Sequence, residues 1–143
     1  MSDVGHNAYL EGRILSADPL ELVTLLYQGC TDSVREARHC LAKAEIEARG
    51  QAISKACAIL TELIGSLDYE RGGEIAKRLG LLYDYMQRRL LDAHARQADE
   101  PLAEVLGLLL TLAEGWAGVQ PAAPESNVWA MAGEAVESHA WSC

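Results

Sequence analysis

Two histidines and two cysteines, His39, Cys40, Cys57 and His94, fall within stretches of helical pattern and are the first residues to weigh as metal ligands. Zinc is held by imidazole and thiolate groups that converge on one point, four in a structural site. His39 and Cys40 are chain neighbours, and neighbours on a helix point to different sides, so they do not make a converging pair. His139 and Cys143 are four apart, a spacing that could chelate on a helix face, but they sit in a terminal stretch with only a weak helical pattern. The four cysteines, Cys30 included, show no CxxC spacing, and the first three read as small apolar residues within helices. No metal and no cofactor is expected.

Other chemistry is as poorly supported. A solvent-facing histidine on a helical bundle can carry a phosphoryl group, and such domains share a His-x-x-Lys-Gly run. Here the run is His39-Cys40-Leu41-Ala42-Lys43, with the lysine one place too far. The carboxylate pairs Asp68 with Glu70, and Asp99 with Glu100, stand at helix ends, where capping and solvation account for them. There is no glycine-rich phosphate loop and no nucleophile elbow. The chain is not expected to be an enzyme.

Composition points to the elements that would position any site. Half of the 143 residues are hydrophobic, with Leu and Ala dominant and Phe absent. Leu and Ala lose little on entering a helix, whereas sheets draw on β-branched and aromatic side chains. The formal charge is −9, from 21 acidic and 12 basic residues, and the densest basic spot is Arg88-Arg89. Nucleic acid and anionic lipid are recognised by clustered cations, so neither is an expected partner. No apolar run approaches the ~20 residues that cross a bilayer, and the polar N-terminus carries no signal peptide. The expectation is a cytoplasmic protein without membrane insertion.

Four helical stripes are predicted. Asp18-Pro19-Leu20-Glu21 reads as N-cap, first helical residue and capping-box acid. From there Val23, Leu26, Cys30, Val34, Ala37, Leu41 and Ala44 recur at helical spacing, and this first helix is expected to end near Arg49-Gly50. A second carries Ile53, Ala56, Leu60, Leu63 and Leu67 and stops near Tyr69, with Gly72-Gly73 making the reversal. A third begins near Glu74, with Ile75, Leu79, Leu82, Met86, Leu90 and Ala93 on its stripe, and runs to Ala98. The fourth shows Leu102, Val105, Leu109, Leu112 and Trp116 after the break at Asp99-Glu100-Pro101. Short connections between long helices imply an all-α, antiparallel up-down four-helix bundle. Residues 1–17 read as a flexible N-terminal arm, 18–118 as the bundle, and 119–143 as a linker and flexible tail.

Several stripes are wider than the roughly 100° a bundle core requires. The second helix adds Ile59 and Ile64, the third Leu81, Tyr83 and Tyr85, and the fourth Leu106, Leu108 and Leu110. Surplus apolar faces of this kind form grooves for a partner segment, or cover the arm, the tail or a second copy of the chain.

Several stretches together resemble a known family. Ser16-Ala17-Asp18-Pro19-Leu20-Glu21-Leu22 with Leu25-Leu26-Tyr27-Gln28-Gly29 is similar to the first-helix signature of the flagellin-specific export chaperones (FliS). Ile53-Ser54-Lys55-Ala56 with Ile59, Glu62-Leu63 and Leu67-Asp68 resembles their second helix. Gly72-Gly73-Glu74-Ile75-Ala76 and the run from Leu82 through Tyr83-Asp84-Tyr85-Met86-Gln87-Arg88-Arg89 to Leu90 resemble the third. Glu104-Val105 and Trp116 resemble the fourth, and Tyr9 stands where the family has a tyrosine in its arm. The likeness covers residues 9–117. Gln28 departs from the acidic residue usual after Leu-Tyr, and the tail with Trp129 and Trp141 has no counterpart.

The resemblance implies a cytoplasmic chaperone that binds the disordered C-terminal segment of flagellin. Holding it in hydrophobic surface grooves would prevent premature polymerisation and support flagellar type III secretion. The flagellar export apparatus or a co-chaperone would be further partners. Ile53, Ala56, Ile59 and Leu60 are expected as groove floor, Tyr83 and Met86 as a second wall, with core packing as the alternative for each. Tyr9 is expected to fill the groove until flagellin displaces the arm, and Trp129 and Trp141 to dock on the same surface or bind a co-chaperone. The rival function is a self-associating helical adaptor without enzymatic activity.

Overall fold

A computed structural model describes residues 19–119, which form four helices: α1 (Pro19–Ala42), α2 (Ile46–Gly65), α3 (Tyr69–Arg96) and α4 (Glu100–Ala117). Residues 43–45, 66–68 and 97–99 connect them. Connections of this length leave each helix no choice but to run back along its predecessor. Helix α1 packs on α2 and α4, and α3 packs on the same two, so the helices stand in a square with α1 and α3 on one diagonal. This is the expected up-down bundle. The arm expected at 1–17, the Asp18 cap, and all of the linker and tail expected at 119–143 except Val119 lie outside the described residues.

The core is the sum of one stripe from each helix. Val23, Tyr27, Cys30 and Val34 face Ile53, Ala56, Leu60 and Leu63, with Tyr83, Met86, Leu90, Leu102, Val105 and Leu109 closing the interior. Each fully buried leucine contributes about 1.5–3 kcal/mol from the removal of apolar area from water. At Gly29, a Cβ would stand 3.3 Å from Ile59 Cδ1, so the absent side chain lets α1 and α2 approach closely.

Three boundaries differ from the sequence expectation. Helix α1 ends at Ala42, not near Gly50, which lies inside α2. Ala44 takes φ +59°, its N–H donates to Leu41 O at 3.1 Å, and Glu45 N–H donates to Cys40 O at 2.9 Å. That is a Schellman ending built on alanine in place of the usual glycine. Ala44, expected on the core stripe, is exposed in this turn.

The reversal between α2 and α3 comes before the glycine pair. Ser66 Oγ donates to Leu63 O at 2.9 Å, and Asp68 caps α3 by accepting from the N–H groups of Glu70 and Arg71, each at 3.1 Å. Gly73 instead marks a kink within α3, at φ +52°. Past that kink Ala76 and Tyr83 take core positions in place of the expected Ile75 and Leu82. Ile75 is exposed and Leu82 is half-buried. Helix α3 ends at Arg96, again with a Schellman pair: Gln97 at φ +52° and Ala98 N–H on Ala93 O at 3.1 Å.

Candidate functional site

One polar chain crosses the apolar interior. Tyr27 on α1 and Tyr83 on α3 are both buried, and their phenolic oxygens are 2.5 Å apart across the bundle's diagonal. The rings meet edge to face, with centroids 6.3 Å apart. Tyr27 also accepts a hydrogen bond from Trp116 Nε1 on α4 at 3.1 Å. Burial pushes the Tyr27 phenol up to about 12, and burial followed by the adjacent Tyr27 raises that of Tyr83. Both phenols are therefore neutral donors and acceptors at physiological pH. Trp116 is half-buried, so it joins this interior network to the surface.

That surface is a cavity of about 300 Å³ between α1 and α4. Thr24, Tyr27, Gln28, Thr31, Asp32 and Arg35 line it from α1, and Leu110, Ala113, Trp116 and Ala117 from α4. The volume is at the low end of ligand pockets, about 300–1,000 Å³. It suits a few side chains of a peptide segment. The lining is an apolar floor with hydroxyl and amide groups at the edges and one charge of each sign, Asp32 and Arg35.

Polar contacts join neighbouring helices around the bundle, one of them between the two walls. Arg38 on α1 grips Asp99, at the start of α4, with two hydrogen bonds of 2.8 Å, and this bidentate contact holds the Asp99 carboxyl below its ordinary range. Glu104 on α4 accepts from Tyr85 and Arg89 of α3, each at 2.6 Å, and these bonds likewise lower its carboxyl. Gln87 of α3 donates to Cys57 O and Thr61 Oγ1 of α2, both at 2.9 Å. Arg49, buried in the first turns of α2, donates to His94 Nδ1 at 3.0 Å.

The residues singled out from the sequence fall in different places. Ile53, Ala56, Leu60, Tyr83 and Met86 are together, but in the closed core, at 0–2% exposure. In the folded bundle they present no area to a partner, because the α1 and α4 stripes already cover them. Ile59 is half-buried and leans onto Gly29 of α1. Tyr9 lies outside the described residues. Of the surplus apolar residues, Ile64, Leu106 and Leu108 pack against the core, while Leu81 and Leu110 are exposed.

No three His, Cys, Asp or Glu side chains converge among the described residues. His39 is exposed on α1, Cys40 is buried beside Glu36, and Cys57 is half-buried. Cys30 donates its thiol to Ala56 O at 3.7 Å, and burial pushes it up to about 12, the behaviour of a packing residue and not of a reactive thiolate. Among the described residues no helix is long and apolar enough to cross a membrane.

Sequence reasoning missed the α1 wall of the cavity. Thr24, Gln28, Thr31 and Arg35 recur at spacings of four, three and four, which places them on one helix face. That face reads as solvated because none of its residues is apolar. The usable signal is the α4 sequence, apolar nearly all round, which needs a neighbour on more than one side.

A family model described as flagellar protein FliS matches residues 2–123. A flagellar secretion chaperone FliS of Salmonella typhimurium is 42% identical over 115 residues, 80% of this chain and 85% of the relative. FliSB of Pseudomonas aeruginosa, also a flagellar secretion chaperone, is 38% identical over 77% of this chain and 87% of its own length. The Bacillus subtilis flagellar secretion chaperone FliS is 32% identical over 78% of this chain and 82% of the relative.

Proposed function

The chain belongs to the FliS family of flagellar secretion chaperones, and from that premise we propose that it binds the disordered C-terminal segment of flagellin in the cytoplasm and holds it for export. The observation that carries the choice of surface is the α1/α4 cavity, whose wall residue Trp116 is bonded through Tyr27 to the core. A chaperone for a segment that polymerises through apolar helical faces must offer apolar area of its own, on a frame rigid enough to be selective. The cavity seats the segment's anchoring side chains. Thr24, Gln28 and Thr31 offer hydrogen-bond partners to its backbone where it is extended. Ordering a disordered client costs conformational entropy, so the complex combines a large interface with moderate affinity and needs no nucleotide to release it.

The outward apolar residues Leu81 and Leu91 on α3 and Ile46 on α2 extend the surface over which a long segment could wrap. Ile59, half-buried on α2 beside Gly29, is not part of the cavity lining and would meet only a segment that passes over the α1/α2 seam. Tyr83 supports the cavity through its bond to Tyr27, and Ile53, Ala56, Leu60 and Met86 build the core. The export apparatus is the next partner in the sequence of events, since the chaperone must hand its cargo on.

Leu110→Asp tests the assignment. Leu110 is 41% exposed, so the bundle tolerates the change, while a carboxylate in the cavity loses hydration when the client binds. Titration with a C-terminal flagellin fragment should show affinity reduced by about tenfold or more, that is about 1.4 kcal/mol, with melting unchanged. Unchanged affinity would move flagellin to another face.

A further inference from the structure

The chain leaves α4 beside the cavity. Trp116 and Ala117 line it, and α4 ends at Ala117, with Gly118 and Val119 the next residues. Residues 120–143 follow, outside the described residues, and their composition is unusual for this protein. They hold two of its three tryptophans, Trp129 and Trp141, with Val128, Met131 and Val136. Their charges are Glu125, Glu134 and Glu137, with no lysine or arginine. Tryptophan is the side chain with most to gain from an apolar pocket that keeps a hydrogen-bonding edge.

The tether fits the distance. Pro121 and Pro124 have no N–H to continue α4 and favour an extended connector. Ten residues separate Val119 from Trp129, a reach of up to ~33 Å when extended. The cavity runs from Ala117 back to Leu110, seven residues of helix and ~10 Å. Trp129 therefore reaches every part of the cavity with slack to turn back. Trp141 sits on a tether about twice as long, and effective concentration falls with tether length. The lining charges, Asp32 and Arg35, balance, so the acidic tail meets no net repulsion there.

We propose that the segment around Trp129 docks in the α1/α4 cavity of its own chain and serves as an internal occupant that the client must displace. Docking stands by itself; displacement rests on the flagellin reading above. An occupant of this kind keeps Leu110, Ala113 and Trp116 from associating with other chains before cargo arrives, and it lowers affinity for weaker clients. A tethered competitor at an effective concentration of about 1 mM, with an intrinsic affinity of about 0.1–1 mM, is bound in about half to nine-tenths of molecules and reduces the apparent affinity of a client by about 2- to 10-fold.

The test uses the full chain with benzoylphenylalanine in place of Trp129, irradiated and mapped by mass spectrometry. Docking predicts cross-links within one chain to residues 24–35 and 110–117, with a yield that does not change on dilution. Cross-links between chains, cross-links to other faces, or capture of the cavity by the N-terminal arm with position 129 linked elsewhere would each overturn it. Adding a saturating C-terminal flagellin fragment should abolish the cavity cross-links. Persistent cavity cross-links with the fragment bound would keep docking and overturn displacement. Failure of the fragment to bind would overturn the flagellin reading, leaving docking to the cross-links alone. Independently, Trp129→Ala should raise affinity for the fragment by about 2- to 10-fold with melting unchanged; unaltered affinity would overturn the competitor role.

Discussion

The phenolic oxygens of Tyr27 and Tyr83 stand 2.5 Å apart where the bundle's diagonal helices meet, and Trp116 donates to the first of them from the cavity wall. Three helices are thereby joined by polar contacts, and removing one hydroxyl takes a hydrogen-bond partner from the other in a buried setting. The cavity wall is joined to the core by these hydrogen bonds.

Tyr27→Phe should cost about 1–3 kcal/mol, because it leaves the buried Tyr83 hydroxyl without its partner. Tyr27→Phe/Tyr83→Phe should cost less than the sum of the single changes, with a coupling of about 1 kcal/mol or more by denaturant unfolding. Strict additivity would mean that the two hydroxyls do not depend on each other.

Core and groove separate by their response to truncation. Leu60→Ala, at a fully buried position, should lower stability by about 2–5 kcal/mol through the cavity it leaves, and alter flagellin affinity only through loss of folded protein. Chemical denaturation and titration on the same samples check this. A stable Leu60→Ala protein with abolished binding would place Leu60 on the client surface after all.

Much of the fold was legible in the sequence, and the failures have physical causes. The α2 stripe of Ile53, Ala56, Leu60 and Leu63 is legible because its period is regular and all four are buried, while Leu67, expected on the same helix, is buried in the turn after α2 ends at Gly65. The end of α1 was misplaced because its Schellman turn uses Ala44, which gives no signal, while Gly50 inside α2 gives a false one. On α3, Leu79, Met86, Leu90 and Ala93 hold their expected core places, while Ile75 and Leu82 give way to their neighbours Ala76 and Tyr83, because on a stripe this apolar two adjacent positions fit the helical period almost equally well. The site was hardest: apolar residues marked out for a groove were core, and the α1 wall of the cavity is made of threonine and glutamine, whose sequence pattern is that of a solvated face.

The alanine in the left-handed turn offers a direct gain. Ala44→Gly relieves the Cβ strain at φ +59° on an exposed residue and should stabilise the bundle by about 0.5–1 kcal/mol after the entropy of glycine is counted. The expected rise in melting temperature is a few degrees. No rise would indicate that the turn is not held in this conformation in solution.

Acid should loosen the joint between α1 and α4. The folded Asp99 carboxyl lies below its ordinary range because Arg38 donates two hydrogen bonds to it, so the folded chain binds fewer protons than the unfolded one. Its stabilisation is complete above the ordinary carboxylate value of about 4 and is lost as pH falls through the lower folded value. Both groups are partly exposed, so the pair contributes at most about 1 kcal/mol. Arg38→Met should therefore be slightly less stable than the parent at neutral pH and indistinguishable from it in acid. A deficit that persists in acid would assign Arg38 a packing role instead.

The central claim is that the chain is a flagellin-binding export chaperone, and isothermal titration with a fragment covering the last ~50 residues of the cognate flagellin tests it most directly, that length being enough for burial on the scale of coupled folding. One-to-one binding with a clearly negative heat-capacity change, weakened by Leu110→Asp, is the predicted result. Absence of binding at high concentration, with mass on sizing that grows with concentration and ignores the fragment, would contradict it and favour a self-associating helical adaptor.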